Sequence, residues 1–316
     1  MTGKPKVLIL TPVYNESAGF ASYEQAVRET LLSRNDCDVS VLCIEDGSSD
    51  ESWSRIRELA ARDSRFRGIR LSRNYGSHIA ITAGFANIGD ADAVATLAAD
   101  LQDPPAAVGR FIDTWKDGAD IVWGKRISRD ESPLRVWASR TFESLIRTFA
   151  MPARSRFTTG SFLLVDRRVA ECFAQFQERN RVTFALVAWT GFTEAVVEYH
   201  RESRRFGRSG WTFTQMIKTM YDTFIGFSAV PIRLMTFTGL FVSLVSIPIA
   251  IYLVVQRLTG QVQLGWTSVM LGLTLFAGIQ FLMMGIVGEY LYRIYAEVVR
   301  RTLYFISSTT DAAESH

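Results

Sequence analysis

The chain has 316 residues, of which 48% are apolar and 21% charged, and its 35 Lys and Arg residues against 32 Asp and Glu residues give a formal net charge of +3. This composition excludes an intrinsically disordered chain, a collagen-like repeat and a small disulfide-stabilised scaffold. A charge so close to neutral argues against a nucleic-acid-binding protein, because such proteins carry a marked basic excess. Cys37, Cys43 and Cys172 are too few and too far apart for a CxxC metal site, and are interpreted as buried thiols in a reducing compartment.

Strand and helix patterns alternate over the first 210 residues. Short apolar or β-branched runs predict strands at Val7–Leu10, Val39–Ile44, Ile69–Leu71, Ala93–Leu97 and Ile121–Trp123. Helical spacing of apolar residues follows Asp50 and the Pro104-Pro105 pair, and Asn74-Tyr75-Gly76 is interpreted as a loop that opens a further helix. The alternation predicts an α/β fold with a mostly parallel sheet, in which ligands bind beyond the carboxyl ends of the strands.

Polar loops follow three of these strands, at residues 11–16, 45–50 and 99–105. Because the carboxyl ends of parallel strands meet at one edge of a sheet, we expect the loops to converge. In an extended chain, Asp100 and Gln102 would project to the same side and present a carboxylate and an amide oxygen, which are ligand types that Mg²⁺ or Mn²⁺ accepts. One such loop alone is equally well explained by turns and helix caps, whereas three in order indicate a site.

Two apolar segments near the C-terminus are long enough to span a bilayer, which takes about 20 residues. Arg257 is the one charged residue between Leu234 and Gly288, and it separates a segment at Leu234–Gln256 from one at about Trp266–Gly288. Arginines flank the pair on its outer ends, at Arg233, Arg293, Arg300 and Arg301. The charge distribution predicts that the preceding α/β domain and both termini face the cytoplasm.

Residues 213–225 carry apolar side chains at helical spacing, which predicts an amphipathic helix at the membrane interface or, alternatively, an ordinary helix packed on the preceding domain. The predicted organisation is therefore a catalytic domain at 1–210, a juxtamembrane amphipathic helix at 211–232, two transmembrane helices within 233–292 and a cytoplasmic tail at 293–316. The Ser- and Thr-rich end of that tail, from Ser307 onward, is predicted to be disordered.

At the level of motifs, the chain resembles the inverting family 2 glycosyltransferases of the GT-A fold. Within that family it is similar to the polyprenyl-phosphate glycosyltransferases, which include dolichol-phosphate mannose synthases and bactoprenol glucosyltransferases. The resemblance rests on Pro12-Val13-Tyr14-Asn15-Glu16, Asp46-Gly47-Ser48, the run from Asp100 to Pro105, and Gly124-Lys125-Arg126. The two C-terminal spans match the bactoprenol-linked branch.

The resemblance implies a role for each matching residue. The nucleotide would be held by Pro12, Tyr14, Glu16, Asp46 and Ser48. The Mg²⁺ or Mn²⁺ ion on the diphosphate would be held by Asp100 and Gln102, and the catalytic set would comprise Asp100, Asp103 and Arg126. The acceptor phosphate would be bound by Arg126, Arg140, Ser144, Arg204 and Arg205.

Three positions depart from the family pattern. Ala98 replaces an Asp that would offer a further metal carboxylate, the segment around Ser161 lacks the acidic residue that relatives carry there, and Gly210 stands where relatives commonly have Lys. A lipid phosphate is already anionic near neutral pH, so it can attack without a general base, and stabilising the departing diphosphate is the larger demand.

The sequence therefore predicts an inverting, metal-dependent transfer of one sugar, with UDP-glucose favoured, from a nucleotide diphosphate sugar to polyprenyl (undecaprenyl) phosphate at the inner membrane. Other donors of the GlcNAc, mannose or aminoarabinose type remain open, as does a different acceptor. A processive polysaccharide synthase is disfavoured because the chain lacks a Gln-x-x-Arg-Trp motif. A non-catalytic membrane scaffold that binds nucleotide sugar is the alternative from another class. A tetramer is implied by the resemblance alone.

Overall fold

The computed structural model describes residues 3–127, 162–179, 181–201, 230–259 and 265–310. The chain forms two compact units, of which the first comprises Met1–Thr223 together with Arg301–His316 and the second comprises Phe224–Arg300.

The first unit is built on one sheet. Its described strands are β1 Lys6–Val13, β2 Asp38–Glu45, β3 Phe66–Leu71, β4 Ala93–Thr96, β5 Ile121–Arg126, β6 Leu163–Asp166, β7 Glu194–Tyr199 and β8 Ile306–Thr309. Its described helices are α1 Phe20–Thr30, α2 Ser52–Arg62, α3 Ser77–Phe85, α4 Pro105–Lys116, α5 Arg167–Gln175 and α6 Thr183–Trp189.

The strand order is β7-β5-β6-β4-β1-β2-β3-β8. The pairs β1–β2, β1–β4, β2–β3 and β5–β7 are parallel, whereas β6 runs antiparallel to both of its neighbours and β8 runs antiparallel to β3. The predicted α/β fold with a mostly parallel sheet is therefore confirmed. All five predicted strands are present, because central parallel strands are covered by helices on both faces and form the continuous apolar runs that the sequence shows.

The C-terminal tail differs from the prediction. Residues expected to be disordered from Ser307 onward include strand β8, which pairs with β3 so that Ile69 lies opposite Thr309 and Arg70 opposite Ser308. The physical reason is that β3 would otherwise present a row of unpaired backbone N–H and C=O groups at the edge of the sheet. The prediction of disorder was therefore wrong for Ser307–Thr310, and residues 311–316 lie outside the described part of the chain.

Helix α3 lies directly on the centre of the sheet. A Cβ atom on Gly84 would come within 2.9 Å of the Leu10 side chain and 3.1 Å of the Ile44 side chain, so the glycine lets the helix pack closely on β1 and β2 and a larger residue would require these side chains to shift. The helix thereby fixes the position of the loop that precedes it, which reaches the carboxyl end of β2.

The second unit contains helices α7 Val230–Leu258 and α8 Trp266–Val299. Many of their described apolar side chains are exposed, for example Phe237 and Phe281. Among the described residues, one window, Ile232–Ile249, is long and apolar enough to cross a membrane. The second predicted span falls in α8, where no window of described residues meets the same criterion. The predicted amphipathic helix at 211–232 lies almost entirely outside the described residues.

Candidate active site

The loops that follow β1 and β2 are joined by hydrogen bonds. The backbone N–H of Asn15 donates to Oγ of Ser48 at 3.0 Å, and the backbone N–H of Glu16 donates to Oγ of Ser52 at 3.1 Å. In the other direction, the backbone N–H of Ser49 donates to Oδ1 of Asn15 at 2.9 Å. The first two of the three polar loops therefore lie together at one edge of the sheet.

Asp46 is buried at the carboxyl end of β2 and holds the loop before α3. Its Oδ1 accepts the backbone N–H of Tyr75 and its Oδ2 accepts that of Gly76, both at 2.8 Å. Burial raises the pKa of Asp46, and these two N–H donors oppose that shift. The next residue, Gly47, has φ +66°, and a Cβ there would lie 2.3 Å from the carbonyl carbon of Arg73. The two loops are thus locked together, and position 47 admits only glycine.

An ion pair between a buried carboxylate and a partly exposed arginine supports this edge. Glu45 is fully buried, and Nε of Arg70 lies 2.9 Å from its Oε2. Oε1 of Glu45 accepts the backbone N–H of Ser48. Sequence reasoning placed Glu45 in the second polar loop but assigned it no role; its pairing with Arg70 depends on the register of β2 and β3, which the loop motif does not reveal.

The third polar loop forms a turn. Strand β4 ends at Thr96, Leu101 has a positive φ of 54°, and the backbone N–H of Gln102 donates to Oδ1 of Asp100 at 3.1 Å. The expectation that Asp100 and Gln102 sit in an extended chain was therefore wrong. The Asp side chain bonds the backbone two residues on, which is the usual way in which Asp stabilises a turn.

Asp103, in the same loop, is the centre of a polar cluster. The hydroxyl of Tyr199 donates to Oδ1 of Asp103 at 2.6 Å, and Nε of Arg201 lies 3.5 Å from the same oxygen. The ring of Tyr199 packs edge-on against Phe162, with 5.0 Å between the centroids. Tyr199 is paired in register with Arg126, the last residue of β5. The cluster therefore joins the third loop to the ends of β5 and β7.

Electrostatics tie the members of this cluster together. Burial raises the pKa of Asp103; the hydrogen bond from Tyr199 and the positive charge of Arg201 oppose that shift, the negative charge of Asp100 adds to it, and Arg126 opposes it. Burial also raises the pKa of Tyr199, so its hydroxyl stays protonated and acts as the donor. Asp100, Arg126 and Arg201 are therefore each close enough to Asp103 for their charge to act on its carboxylate.

The remaining predicted nucleotide residues lie around the first two loops. Pro12 is in β1 opposite Ile44, Tyr14 is 47% exposed, and Ser48 is buried with its hydroxyl facing Asn15. An exposed aromatic ring beside a polar edge is available for stacking on a planar group.

Several predicted residues fall outside the part of the chain that the structure describes. They are Arg140, Ser144, Arg204 and Arg205, together with the segment around Ser161. Sequence reasoning missed Tyr199 altogether. Tyr199 ends a half-exposed strand, and its partner Asp103 is 96 positions away, so no local pattern marks it.

Few of the described side chains come together as donors that could hold a metal ion. Within the described ranges, no group of three or more His, Cys, Asp or Glu residues forms a metal cluster. The Asp100 carboxylate and the Gln102 amide are oxygen donors in one turn, which fits an ion such as Mg²⁺ or Mn²⁺ that takes its other ligands from a diphosphate and water.

The family profile described as Glycosyl transferase family 2 matches residues 8–174. The chain is 35% identical over 311 residues to the undecaprenyl-phosphate 4-deoxy-4-formamido-L-arabinose transferase of Proteus mirabilis, covering 95% of this chain and 93% of that one. It is 31% identical over 301 residues to an uncharacterized glycosyltransferase of Synechocystis sp., covering 95% and 94% of the two chains.

Among solved structures, the glucosyl-3-phosphoglycerate synthase of Mycobacterium tuberculosis in complex with Mn²⁺, UDP-glucose and phosphoglyceric acid is 16% identical to this chain. The alignment covers 71% of this chain and 78% of that one, with a TM-score of 0.46. A likeness this low says nothing about the ligands of the present chain.

Proposed function

The chain belongs to glycosyltransferase family 2, and we propose that it transfers one sugar from a nucleotide diphosphate sugar to polyprenyl phosphate at the cytoplasmic face of the membrane. The observation that carries this proposal is the 35% identity to an undecaprenyl-phosphate sugar transferase over 95% of the chain, which includes the apolar C-terminal helices. The α/β unit with its mostly parallel sheet agrees with the GT-A fold.

In this proposal the nucleotide occupies the edge where the first two loops meet. Tyr14 is exposed enough to stack on the base, and Asp46 is buried with each carboxylate oxygen accepting one N–H. A carboxylate oxygen accepts more than one hydrogen bond, so Asp46 retains capacity for a ring N–H of the base. Pro12, Glu16 and Ser48 complete this part of the site.

Asp100 and Gln102 would hold a divalent ion on the diphosphate. When bound, such an ion neutralises charge on the leaving oxygens. The chain contributes the turn itself: the hydrogen bond from the Gln102 backbone fixes the Asp100 carboxylate before the substrate arrives. A donor set with one carboxylate is weak, which matches the Ala98 departure from the family pattern, so we expect a modest affinity for the metal.

The acceptor phosphate would bind beside Asp103. Arg126 is the last residue of β5, and Arg201 lies two positions after the end of β7. Both bring positive charge close to the Asp103 carboxylate. Two anions must meet for reaction, and guanidinium groups both neutralise and orient a phosphate. Asp103, held by Tyr199, orients Arg201 by its negative charge. Arg140, Ser144, Arg204 and Arg205 are proposed as further phosphate ligands.

The reaction requires a single displacement. A phosphate oxygen of the acceptor attacks the anomeric carbon, its new C–O bond forms as the bond to the nucleoside diphosphate breaks, and the anomeric configuration inverts. The phosphate is already ionised, so no side chain needs to remove a proton. Direct displacement forms no covalent glycosyl-enzyme intermediate.

The membrane arrangement is part of the proposal. Helices α7 and α8 are proposed as two transmembrane spans, the amphipathic helix remains a prediction for 211–232, and the catalytic domain at 1–210 and both termini are proposed to lie in the cytoplasm. The support is the exposed apolar surface of both helices and the arginines at their outer ends. A tetramer remains a proposal from the family resemblance.

UDP-glucose is the proposed donor, on the resemblance to bactoprenol glucosyltransferases. The second candidate is a donor of the 4-deoxy-4-formamido-L-arabinose type, favoured by the name of the Proteus mirabilis relative. Purified full-length protein incubated with undecaprenyl phosphate and a panel of nucleotide sugars, with and without Mn²⁺, separates them by the mass of the lipid product. Binding of a nucleotide sugar without any lipid product would support the scaffold alternative instead.

A further inference from the structure

The C-terminal strand β8 is attached to the sheet through its side chains as well as its backbone. Gly68 and Thr310 are bonded twice: the N–H of Gly68 donates to Oγ1 of Thr310 at 2.8 Å, and the N–H of Thr310 donates to the carbonyl of Gly68 at 2.9 Å. Two residues further along β3, Oγ of Ser307 donates to the carbonyl of Arg70 at 3.2 Å. Strand β8 and Thr310, the residue after it, therefore bond β3 from Gly68 to Leu71.

The same segment continues to the loop before α3. The backbone N–H of Ser72, just after β3, donates to the carbonyl of Phe305 at 2.9 Å. Ser72 and Tyr75 share a hydrogen bond between their hydroxyls at 2.9 Å, and the guanidinium of Arg73 lies 4.8 Å from the centre of the Tyr75 ring. The segment ahead of β8 thus holds the first residue of this loop, and the loop is internally braced.

The far end of the loop is the part that Asp46 holds. The N–H groups of Tyr75 and Gly76 occupy both oxygens of Asp46, and the backbone of Arg73 fills the space in which Gly47 would otherwise carry a side chain. A displacement of residues 72–76 would therefore change the position or the hydrogen bonding of Asp46.

We propose that β8 is a positioning element of the donor site, which holds residues 72–76 against Asp46 and thereby sets the affinity for a nucleoside diphosphate. This inference rests on the proposed role of Asp46 in nucleotide binding. Because β8 follows α7 and α8 in the chain, the donor site is complete only after the polypeptide beyond both apolar helices has returned to the sheet. Donor binding is thereby coupled to the presence of the complete C-terminal segment.

The test uses the full-length chain with a graded set of variants at one position. Thr310→Pro removes both bonds to Gly68, Thr310→Val removes the hydroxyl and leaves the Gly68 N–H without its partner, and Thr310→Ser keeps the hydroxyl. Ser308→Ala is the matched control, because Ser308 is an exposed residue of β8 whose side chain is not proposed to hold β3. UDP and GDP are titrated against each protein, and hydrogen exchange reports the amides of residues 68–76.

We expect UDP to bind about five- to tenfold more weakly to Thr310→Pro and about two- to fivefold more weakly to Thr310→Val, since the loss of one hydrogen bond changes an affinity by a factor of this order. The affinity of Thr310→Ser and of Ser308→Ala for UDP should equal that of the wild type. Exchange at residues 68–76 should accelerate in the same order, while the KM for undecaprenyl phosphate stays constant.

The proposal is overturned if Thr310→Pro accelerates exchange at residues 68–72 but binds UDP and GDP like the wild type. If Thr310→Pro does not fold, the proposal is overturned when Thr310→Val binds UDP and GDP as tightly as the wild type. Failure of the proposed function looks different: the wild type would then bind nucleotide without making a lipid product, and the comparison of affinities would still test β8.

Discussion

The Tyr199 hydroxyl donates a 2.6 Å hydrogen bond to Asp103 and joins the end of β7 to the loop before α4. Both side chains are largely buried, and Arg126 and Arg201 approach the same carboxylate. This contact places the Asp103 carboxylate beside the Arg201 guanidinium and within electrostatic reach of Arg126, where the acceptor phosphate is proposed to bind.

Tyr199→Phe should weaken acceptor use selectively. The ring still packs on Phe162, but Asp103 loses its hydroxyl donor and no longer holds Arg201 in one position. We expect the kcat/KM for undecaprenyl phosphate to fall about ten- to a hundredfold, because a hydrogen bond to a charged group is worth about 1.5–3 kcal/mol, with little change in the KM for the nucleotide sugar. Steady-state kinetics with each substrate varied in turn measure this.

The matched control is Tyr23→Phe, which removes a buried hydroxyl that is bonded to Thr11 outside this cluster. It should lower stability without changing the KM for the acceptor. An equal rise of both KM values in Tyr199→Phe would indicate a general loss of structure and argue against the positioning role.

Asp100→Asn should raise the metal requirement. The substitution keeps the size of the side chain and removes the one carboxylate of the proposed metal pair, so we expect a fall in kcat of about a hundredfold and a higher Mn²⁺ concentration for half-maximal rate. Asp117→Asn, at the exposed C-terminal end of α4, is the control and should behave like the wild type. Activity of Asp100→Asn at wild-type Mn²⁺ concentrations would remove Asp100 from the site.

Gly47→Ala should damage both stability and donor binding. The residue would adopt a positive φ and its Cβ would overlap the backbone of Arg73, so we expect a loss of about 1–3 kcal/mol in unfolding free energy together with weaker UDP binding. Gly118→Ala separates the two causes, because Gly118 also has a positive φ but open space around it. If the two variants bind UDP equally well, the contact between Gly47 and Arg73 does not matter for the donor.

Cys43 should resist alkylation in the folded protein. Burial raises the pKa of its thiol to about 12, so the reactive thiolate is scarce at neutral pH and the folded state also blocks access. Iodoacetamide at pH 7.5 followed by mass spectrometry should label the partly exposed Cys172 first, and should label Cys43 only after denaturation. Labelling of both at the same rate would contradict the packing of β2.

The sequence predicted the centre of the sheet better than its edges. Strands β1 and β2 are long, apolar and buried, which gives an unambiguous pattern. Strand β8, in contrast, is a four-residue strand rich in Ser and Thr, and its partner β3 lies more than 230 positions earlier in the chain. Such a strand has no periodicity of its own and forms only because β3 presents an open edge.

The same contrast holds at the site. Asp46 and Asp100 were identified because each follows a strand within a recognisable motif. The turn that shapes Asp100 and Gln102 was mistaken for an extended segment, because two residues of spacing do not distinguish a strand from a turn. Tyr199 was missed because its contact with Asp103 depends on the register of β5 and β7, which only the folded sheet defines.

The most direct measurement is the mass of the lipid formed when the purified full-length protein is incubated with undecaprenyl phosphate, Mn²⁺ and UDP-glucose or a related nucleotide sugar. The account predicts a lipid heavier than the acceptor by one sugar residue, formed by the wild type and nearly absent with Asp100→Asn. An acceptor whose mass stays unchanged with every nucleotide sugar that the protein binds would contradict it.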